Sequence, residues 1–197
     1  MRIFVAGASG VIGLHLLPLL HAAGHEIAGM TRSQTKVDQL QSLGAEPVVC
    51  DVFDLAALSD AVMNFHPDLV LHELTDLPDD ASRIREFGPA NSQMRRLGTR
   101  NLLTASSTAG VERFVAQSVA WSIPGDGGAA VTEHEQAVLN FGGVVLRYGQ
   151  FYGPRTYFES DPPPPPLIHI AEAARRTLDW LDAASGIITL TEGEENL

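Results

Sequence analysis

Along the chain, short apolar runs alternate with stretches of helical period. Residues 2–6 (RIFVA), 26–30 (EIAGM), 46–50 (EPVVC), 69–72 (LVLH), 113–117 (RFVAQ) and 144–148 (VVLRY) are short and rich in Val, Ile, Leu and Phe, and they predict strands. Between them the pattern predicts helices over 11–23, 35–43, 55–64, 91–109 and 132–141, then a helix over 171–182 and a last short strand at 186–190. Gly24, Gly44, Gly110 and Gly142 stand where helices should stop. Strand–helix alternation of this kind predicts an α/β fold with a parallel sheet covered on both faces. Strands buried on both sides read as continuous apolar runs, as these do. Pro18 breaks a local rule: it lies inside the first helix, where it removes a backbone hydrogen bond and predicts a kink. Residues 122–130 (SIPGDGGAA) read as a glycine-rich loop. Residues 153–166 end in five consecutive prolines and read as a stiff connector or as a wall on the substrate side. The tail, 192–197, is expected to fray.

Composition narrows the function classes. The chain has 197 residues, 45% hydrophobic and 19% charged, which suits one packed domain. Its 13 Lys and Arg against 24 Asp and Glu give a net charge of −11. So acidic a chain has no surplus of cations for phosphate backbones, and nucleic-acid binding is not expected. A lone cysteine, Cys50, excludes an internal disulfide framework and a cysteine-rich zinc site. Glycines, Ser9, His15 and Pro18 interrupt the apolar N-terminus, so neither a leader nor a spanning helix is expected, and a cytoplasmic location is.

The sharpest chemical signal is Gly7-Ala8-Ser9-Gly10-Val11-Ile12-Gly13, a GxxGxxG directly after a predicted strand and opening a predicted helix. Gly7 permits a sharp turn, Gly10 leaves the backbone open to a diphosphate, and Gly13 permits close packing of the helix. The free amides of Val11, Ile12 and Gly13 and the helix dipole then favour phosphate. The end of the second strand bears on the cofactor. An NAD site usually carries Asp or Glu there for the ribose 2′-hydroxyl. This chain has Thr31-Arg32-Ser33 instead, and Arg32 suits a forked pair with a 2′-phosphate. NADP(H) is therefore expected as the preferred cofactor, with NAD(H) as the alternative. Asp51 and Val52 after the third strand would border the adenine, although Asp51 is equally placed to cap the next helix.

The stretches VAGASGVIG, CDVFD, LVLHELTDLP, GTRNLLTAS, RFVAQS and VVLRYGQFYGP occur in an order that resembles the short-chain dehydrogenase/reductase superfamily, specifically its extended or atypical members related to NAD(P)-dependent epimerases and dehydratases. The resemblance runs from Met1 to about Gly186. It implies a doubly wound parallel sheet of the Rossmann type with a reduced C-terminal substrate lobe, residues 1–197 forming one NAD(P)-binding domain to which 152–197 contribute that lobe. It implies that His72, Leu74 and Thr75 line the cofactor's ribose and phosphates, that Gln117 borders the cofactor, and that Ser118 is the active-site hydroxyl. It also places Tyr148, Gly149 and Gln150 beside the nicotinamide, Tyr148 being a candidate catalytic group, with Tyr152 at the substrate pocket. A homodimer paired through the long helices is implied as well.

One departure is as informative as the match. Ordinary members carry Tyr-x-x-x-Lys, in which the lysine lowers the phenol's pKa so that it serves as acid or base near neutrality. With Glu135 in the slot that usually follows the lysine by four, the Tyr and Lys positions fall on Gly127 and Val131. With Glu133 there, they fall on Gly125 and Ala129. Neither register can move a proton. Only 17 positions separate Ser118 from Glu135. Two functions therefore stand open: an NADP(H)-dependent oxidoreductase or epimerase/dehydratase relative acting on a small carbonyl or hydroxyl substrate, and an NADP(H)-binding sensor or regulatory protein without turnover. No metal site is expected: His134 in EHEQAV lacks the second histidine of HExxH, because position 138 is Val. Arg95, Arg96 and Arg100 make a basic helix face expected to be solvated or to touch a second subunit.

Overall fold

The computed structural model describes residues 1–193. Its centre is a parallel sheet of seven strands in the order β3-β2-β1-β4-β5-β6-β9. They are β1 (Arg2–Ala6), β2 (Glu26–Thr31), β3 (Glu46–Val49), β4 (Leu69–His72), β5 (Arg113–Val119), β6 (Val144–Tyr148) and β9 (Gly186–Leu190). Strand order reverses between β1 and β4, which opens a crevice above their C-terminal ends. The structure is thus a doubly wound Rossmann-type fold. Within residues 152–193, β9 completes the main sheet, while β8 (Leu167–His169) pairs with β7 (Gln150–Tyr152) beside it.

Alternation along each strand builds two separate apolar layers. Ile3, Val5, Leu69, Leu71, Val115, Leu146 and Tyr148 face one side. There they meet Leu16, Leu17 and Leu20 of α1 (Val11–Ala22), Leu40 of α2 (Val37–Ser42) at one end, and Ile170, Ala173 and Ala174 of α7 (Ile170–Thr177), which packs beside α1. Phe4, Ala6, Val70, Phe114, Ala116 and Val145 face the other side, against α3 (Leu55–Phe65), α5 (Thr99–Thr108) and Val138 of α6 (Gly125–Phe141). The helix expected over 91–109 is α4 (Gly88–Gln93), a π-helical turn at Met94–Gly98 and then α5. The α1 helix continues through Pro18.

Two expectations are corrected. The glycine-rich stretch 122–130 is not all loop, because α6 begins at Gly125. A Cβ on Gly128 would stand 2.1 Å from the Ile123 carbonyl oxygen, and one on Gly127 would stand 2.7 Å from the Ile123 side chain. These glycines serve close packing of the preceding turn on the helix, and they are not signs of slack chain. The short strands β7 and β8 were not foreseen. Each has three residues, and they pair in parallel across the proline-rich connection, with Gln150 opposite Leu167. Of the tail expected to fray, 194–197 lie outside the described residues.

Candidate functional site

The turn after β1 is stripped of side-chain bulk where backbone meets backbone. Gly7 has φ +91°, and a Cβ there would stand 2.7 Å from the carbonyl of Glu73 at the end of β4. A Cβ on Gly13 would stand 2.5 Å from the Gly7 oxygen and 2.6 Å from that of Ala8. Gly13 therefore brings α1 onto the turn itself. Gly10 is different: it is exposed and has only the Gly7 oxygen within reach, at 3.2 Å, so the space above it is open. No acidic residue stands in the first turn of α1 to compete for its amides. Cleared backbone at the N-terminus of a helix on the switch point fits a dinucleotide's diphosphate. Ile12 is buried in the core and offers only its backbone, while Ser9 Oγ lies 2.9 Å from Thr31 Oγ1.

On one flank stands the end of β2. Thr31 is buried, and its Oγ1 accepts from the Ser33 amide at 3.2 Å. Arg32 extends into solvent, and its Nη2 donates to Asp76 Oδ1 at 2.8 Å. Asp51 accepts from the Phe53 amide, and Asp54, not Asp51, caps α3 by accepting from the Ala57 amide. Val52 is buried, and its carbonyl accepts from Asn101. On the other flank Leu74 is partly covered and Thr75 is exposed.

The crevice beneath β4, β5 and β6 is held by closed polar networks. The Leu74 amide donates to His72 Nδ1, so the neutral ring carries its proton on Nε2 and donates it to Thr99 Oγ1 at 2.9 Å. The Thr99 hydroxyl then donates to His134 Nδ1 at 2.7 Å, and His134 Nε2 donates to the Gln117 carbonyl at 3.0 Å. Every ring nitrogen has one role. Burial holds both imidazoles neutral, His134 down to about 4 and His72 well below the ordinary value. Gln117 Nε2 donates in turn to the Glu73 carbonyl at 3.0 Å.

Ser118 is buried, and its hydroxyl donates to Glu135 Oε1 at 2.6 Å. The same carboxylate takes a fork from Arg147, with Nε at 2.8 Å and Nη2 at 2.6 Å. Burial alone would raise the Glu135 pKa. The bonds from Arg147 and Ser118 outweigh it and hold the carboxyl below its usual range. Tyr148, a candidate catalytic residue, lies elsewhere: it is 2% exposed, in the layer beneath α1 and α7. Thr177 gives its own proton to the Ala173 carbonyl, so the Tyr148 hydroxyl donates to Thr177, at 2.6 Å. Burial pushes this phenol well above 10. Packing on Phe151 and the bond to Thr177 thus correct the expectation that Tyr148 is a catalytic group beside the nicotinamide. Tyr152 donates to Glu192 at 2.8 Å.

These features agree with the comparisons. The model of the NAD-dependent epimerase/dehydratase family matches residues 3–138. The chain belongs to that family. A 3-diazoavenalumate denitrifying reductase of a Streptomyces species is 34% identical over 185 residues, covering 82% of this chain and 60% of that protein. A decarboxylating sterol-4-alpha-carboxylate 3-dehydrogenase of Dictyostelium discoideum is 28% identical over 113 residues, covering 57% of this chain and 34% of that protein. The chain therefore spans between a third and three fifths of the length of these curated relatives. Among solved structures, a UDP-glucose 4-epimerase of Thermus thermophilus, in complex with NAD, superposes with a TM-score of 0.81 at 22% identity, covering 98% of this chain and 78% of that one.

Family membership sharpens the departure at α6. Of the two acidic residues considered for that slot, Glu135 is the one held by Arg147 in the fold, and in its register Gly127 and Val131 take the Tyr and Lys positions. Sequence reading missed Glu73. It is the residue after β4, fully buried, with neither carboxyl oxygen hydrogen-bonded among the described residues, and burial drives its pKa well above 4.5. Strand alternation places it on the face of Leu69 and Leu71, and that was the available signal.

Proposed function

We propose that this chain is the nucleotide-holding core of an NADP(H)-dependent oxidoreductase acting on a small carbonyl or hydroxyl substrate. The observation that carries the reading is the pairing of a cleared glycine turn at the switch point with Arg32, and no carboxylate, at the end of β2. The amides of Val11, Ile12 and Gly13 would hold the diphosphate, Ser9 and Thr31 would face the adenosine ribose, and Arg32 with Ser33 would take the 2′-phosphate. Asp51 and Val52 would border the adenine, with Leu74, Thr75 and Gln117 further along the crevice. When bound, the nicotinamide supplies hydride exchange at a substrate carbon. The protein's part is orientation and exclusion of water, with Ser118 fixing the far end of the crevice through Glu135. Relatives named as a reductase and a dehydrogenase support the redox reading. A cytoplasmic location and a homodimer formed through the α5 and α6 faces belong to the same proposal. A groove of about 600 Å³ lined by Arg95, Arg100, Leu103 and Glu133 lies on those faces.

A second reading, an NADP(H) sensor without turnover, is favoured by Gly127 and Val131 where an acid–base pair would stand. Titration of nicotinamide fluorescence followed by a carbonyl screen separates the two: tight binding without turnover on any compound selects the sensor. Arg32→Ala is expected to weaken NADPH by about tenfold or more and NADH by less than about twofold, since a charge-assisted pair contributes roughly 1.5–3 kcal/mol. Equal losses overturn the NADP assignment. Gly10→Val should abolish binding of both, and retained affinity refutes the cradle.

A further inference from the structure

The arm assigned above to the 2′-phosphate already has a partner. Arg32 follows β2, Asp76 follows β4, and β1 lies between these strands in the sheet. The 2.8 Å bond from Arg32 Nη2 to Asp76 Oδ1 therefore joins the two walls of the crevice across the glycine turn of β1. The two ends of this strap are unequal. The Asp76 side chain is 16% exposed, and its backbone amide donates to Asn91 Oδ1 of α4 at 3.1 Å, which fixes the residue from behind. The Arg32 side chain is 63% exposed and projects from the strand end. Beyond Asp76 the same loop is tied down again, since the Tyr157 hydroxyl donates to the Pro78 carbonyl. Asp76 is the post and Arg32 the movable arm.

We infer that Asp76 is a specificity-determining residue that competes with the cofactor's 2′-phosphate for Arg32 and so sets how strongly the chain prefers NADP(H) over NAD(H). This rests on the proposed NADP(H) reading and deepens it. A guanidinium has five N–H donors, and Arg32 spends one on Asp76. A 2′-phosphate taking the fork must either displace the carboxylate or sit beside it. Displacement forfeits the ion pair, and cohabitation sets like charges together. NAD(H) has no 2′-phosphate, presents neither demand, and enters with the strap in place. A partly exposed pair of this kind contributes little, so the penalty is a modest one that falls on a single cofactor.

The test is a double-mutant cycle on the full chain, with dissociation constants for NADPH and NADH from nicotinamide fluorescence. Asp76→Asn keeps the shape and removes the charge. It is expected to tighten NADPH about two- to fivefold and to leave NADH within experimental error, and the gain should vanish in the Arg32→Ala background. An unchanged or weakened NADPH affinity in Asp76→Asn overturns the inference, as does an equal gain without Arg32. The parent reading fails differently: the unmodified chain binds neither dinucleotide, or Arg32→Ala lowers both equally.

Discussion

The two halves of the crevice are built on opposite plans. Around β1 and β2 the backbone is cleared by glycines, Gly10 is open above, and the contact across the mouth is a partly exposed ion pair. Around β4, β5 and β6 the polar side chains are committed inward: Ser118 to Glu135, Tyr148 to Thr177, and His72 to His134 through Thr99. On the proposed reading, the first half grips the dinucleotide and the second is held rigid by its own networks. Binding should therefore respond to changes in the first half, and stability to changes in the second.

The largest expected effect tests the scaffold directly. Glu135 joins β5, β6 and α6, and its removal would leave Arg147 and the Ser118 hydroxyl without their partner. Glu135→Ala is expected to destabilise the chain by roughly 2–3 kcal/mol, because the buried Ser118 hydroxyl loses its acceptor while the part-exposed Arg147 keeps access to water. Dinucleotide affinity measured below the melting transition should change little. Denaturant unfolding and NADPH titration check the two halves of that statement. A large loss of affinity at unchanged stability would erase the contrast between the regions.

Much of this was legible from sequence, for stated reasons. The strands stood out because doubly buried strands are apolar throughout, and the cradle stood out because glycine spacing is a local signal. What escaped was nonlocal. GDGGAA reads as loop until Ile123 is seen lying against Gly127 and Gly128. Tyr148 was assigned to the nicotinamide by resemblance, although alternation along VVLRY puts it on the face of Val144 and Leu146, under α7. Glu73 has no local signature: it follows the buried His72 and turns to the opposite layer. The Arg32–Asp76 strap joins residues 44 positions apart and has no sequence signature.

A second, smaller effect is a pH profile. His72 and His134 are held neutral in the fold, while the unfolded chain takes up protons near pH 6.5. Their contribution is therefore full above 6.5 and is lost as pH falls toward about 4. Glu73 acts with the opposite sign. Its folded pKa is raised, so its contribution is full below 4.5 and is lost as pH rises toward the folded value. From 4.5 to 6.5 the buried histidines, joined by His15 and His25 whose pKa values are also lowered, oppose the one raised carboxyl, and stability should climb with pH. Above 6.5 the histidine contribution is full, and any further fall in stability as pH rises is that of Glu73. Urea unfolding across pH should show stability rising from 4.5 to 6.5, and a flat profile over that span would contradict the neutral histidine chain.

The smallest effect isolates Glu73 and sharpens the comparison most, because this residue lies where the two halves meet. Its carbonyl is the one a Gly7 Cβ would strike, and it also receives Gln117, while its carboxyl is buried with no hydrogen bond among the described residues. A carboxyl without a partner in an apolar layer is destabilising once it ionises, and an apolar group of similar volume is not. Glu73→Leu is therefore expected to raise stability at about pH 8 by roughly 1–3 kcal/mol and to remove the decline that Glu73 causes as pH rises. Glu73→Gln should abolish the same decline without the full gain, since its amide is equally unpaired. If the residue belongs only to the scaffold, both variants keep the NADPH affinity of the parent chain. If the leucine variant gains stability and loses affinity, the carboxyl belongs to the gripping half, and the boundary drawn between the two regions must move across β4.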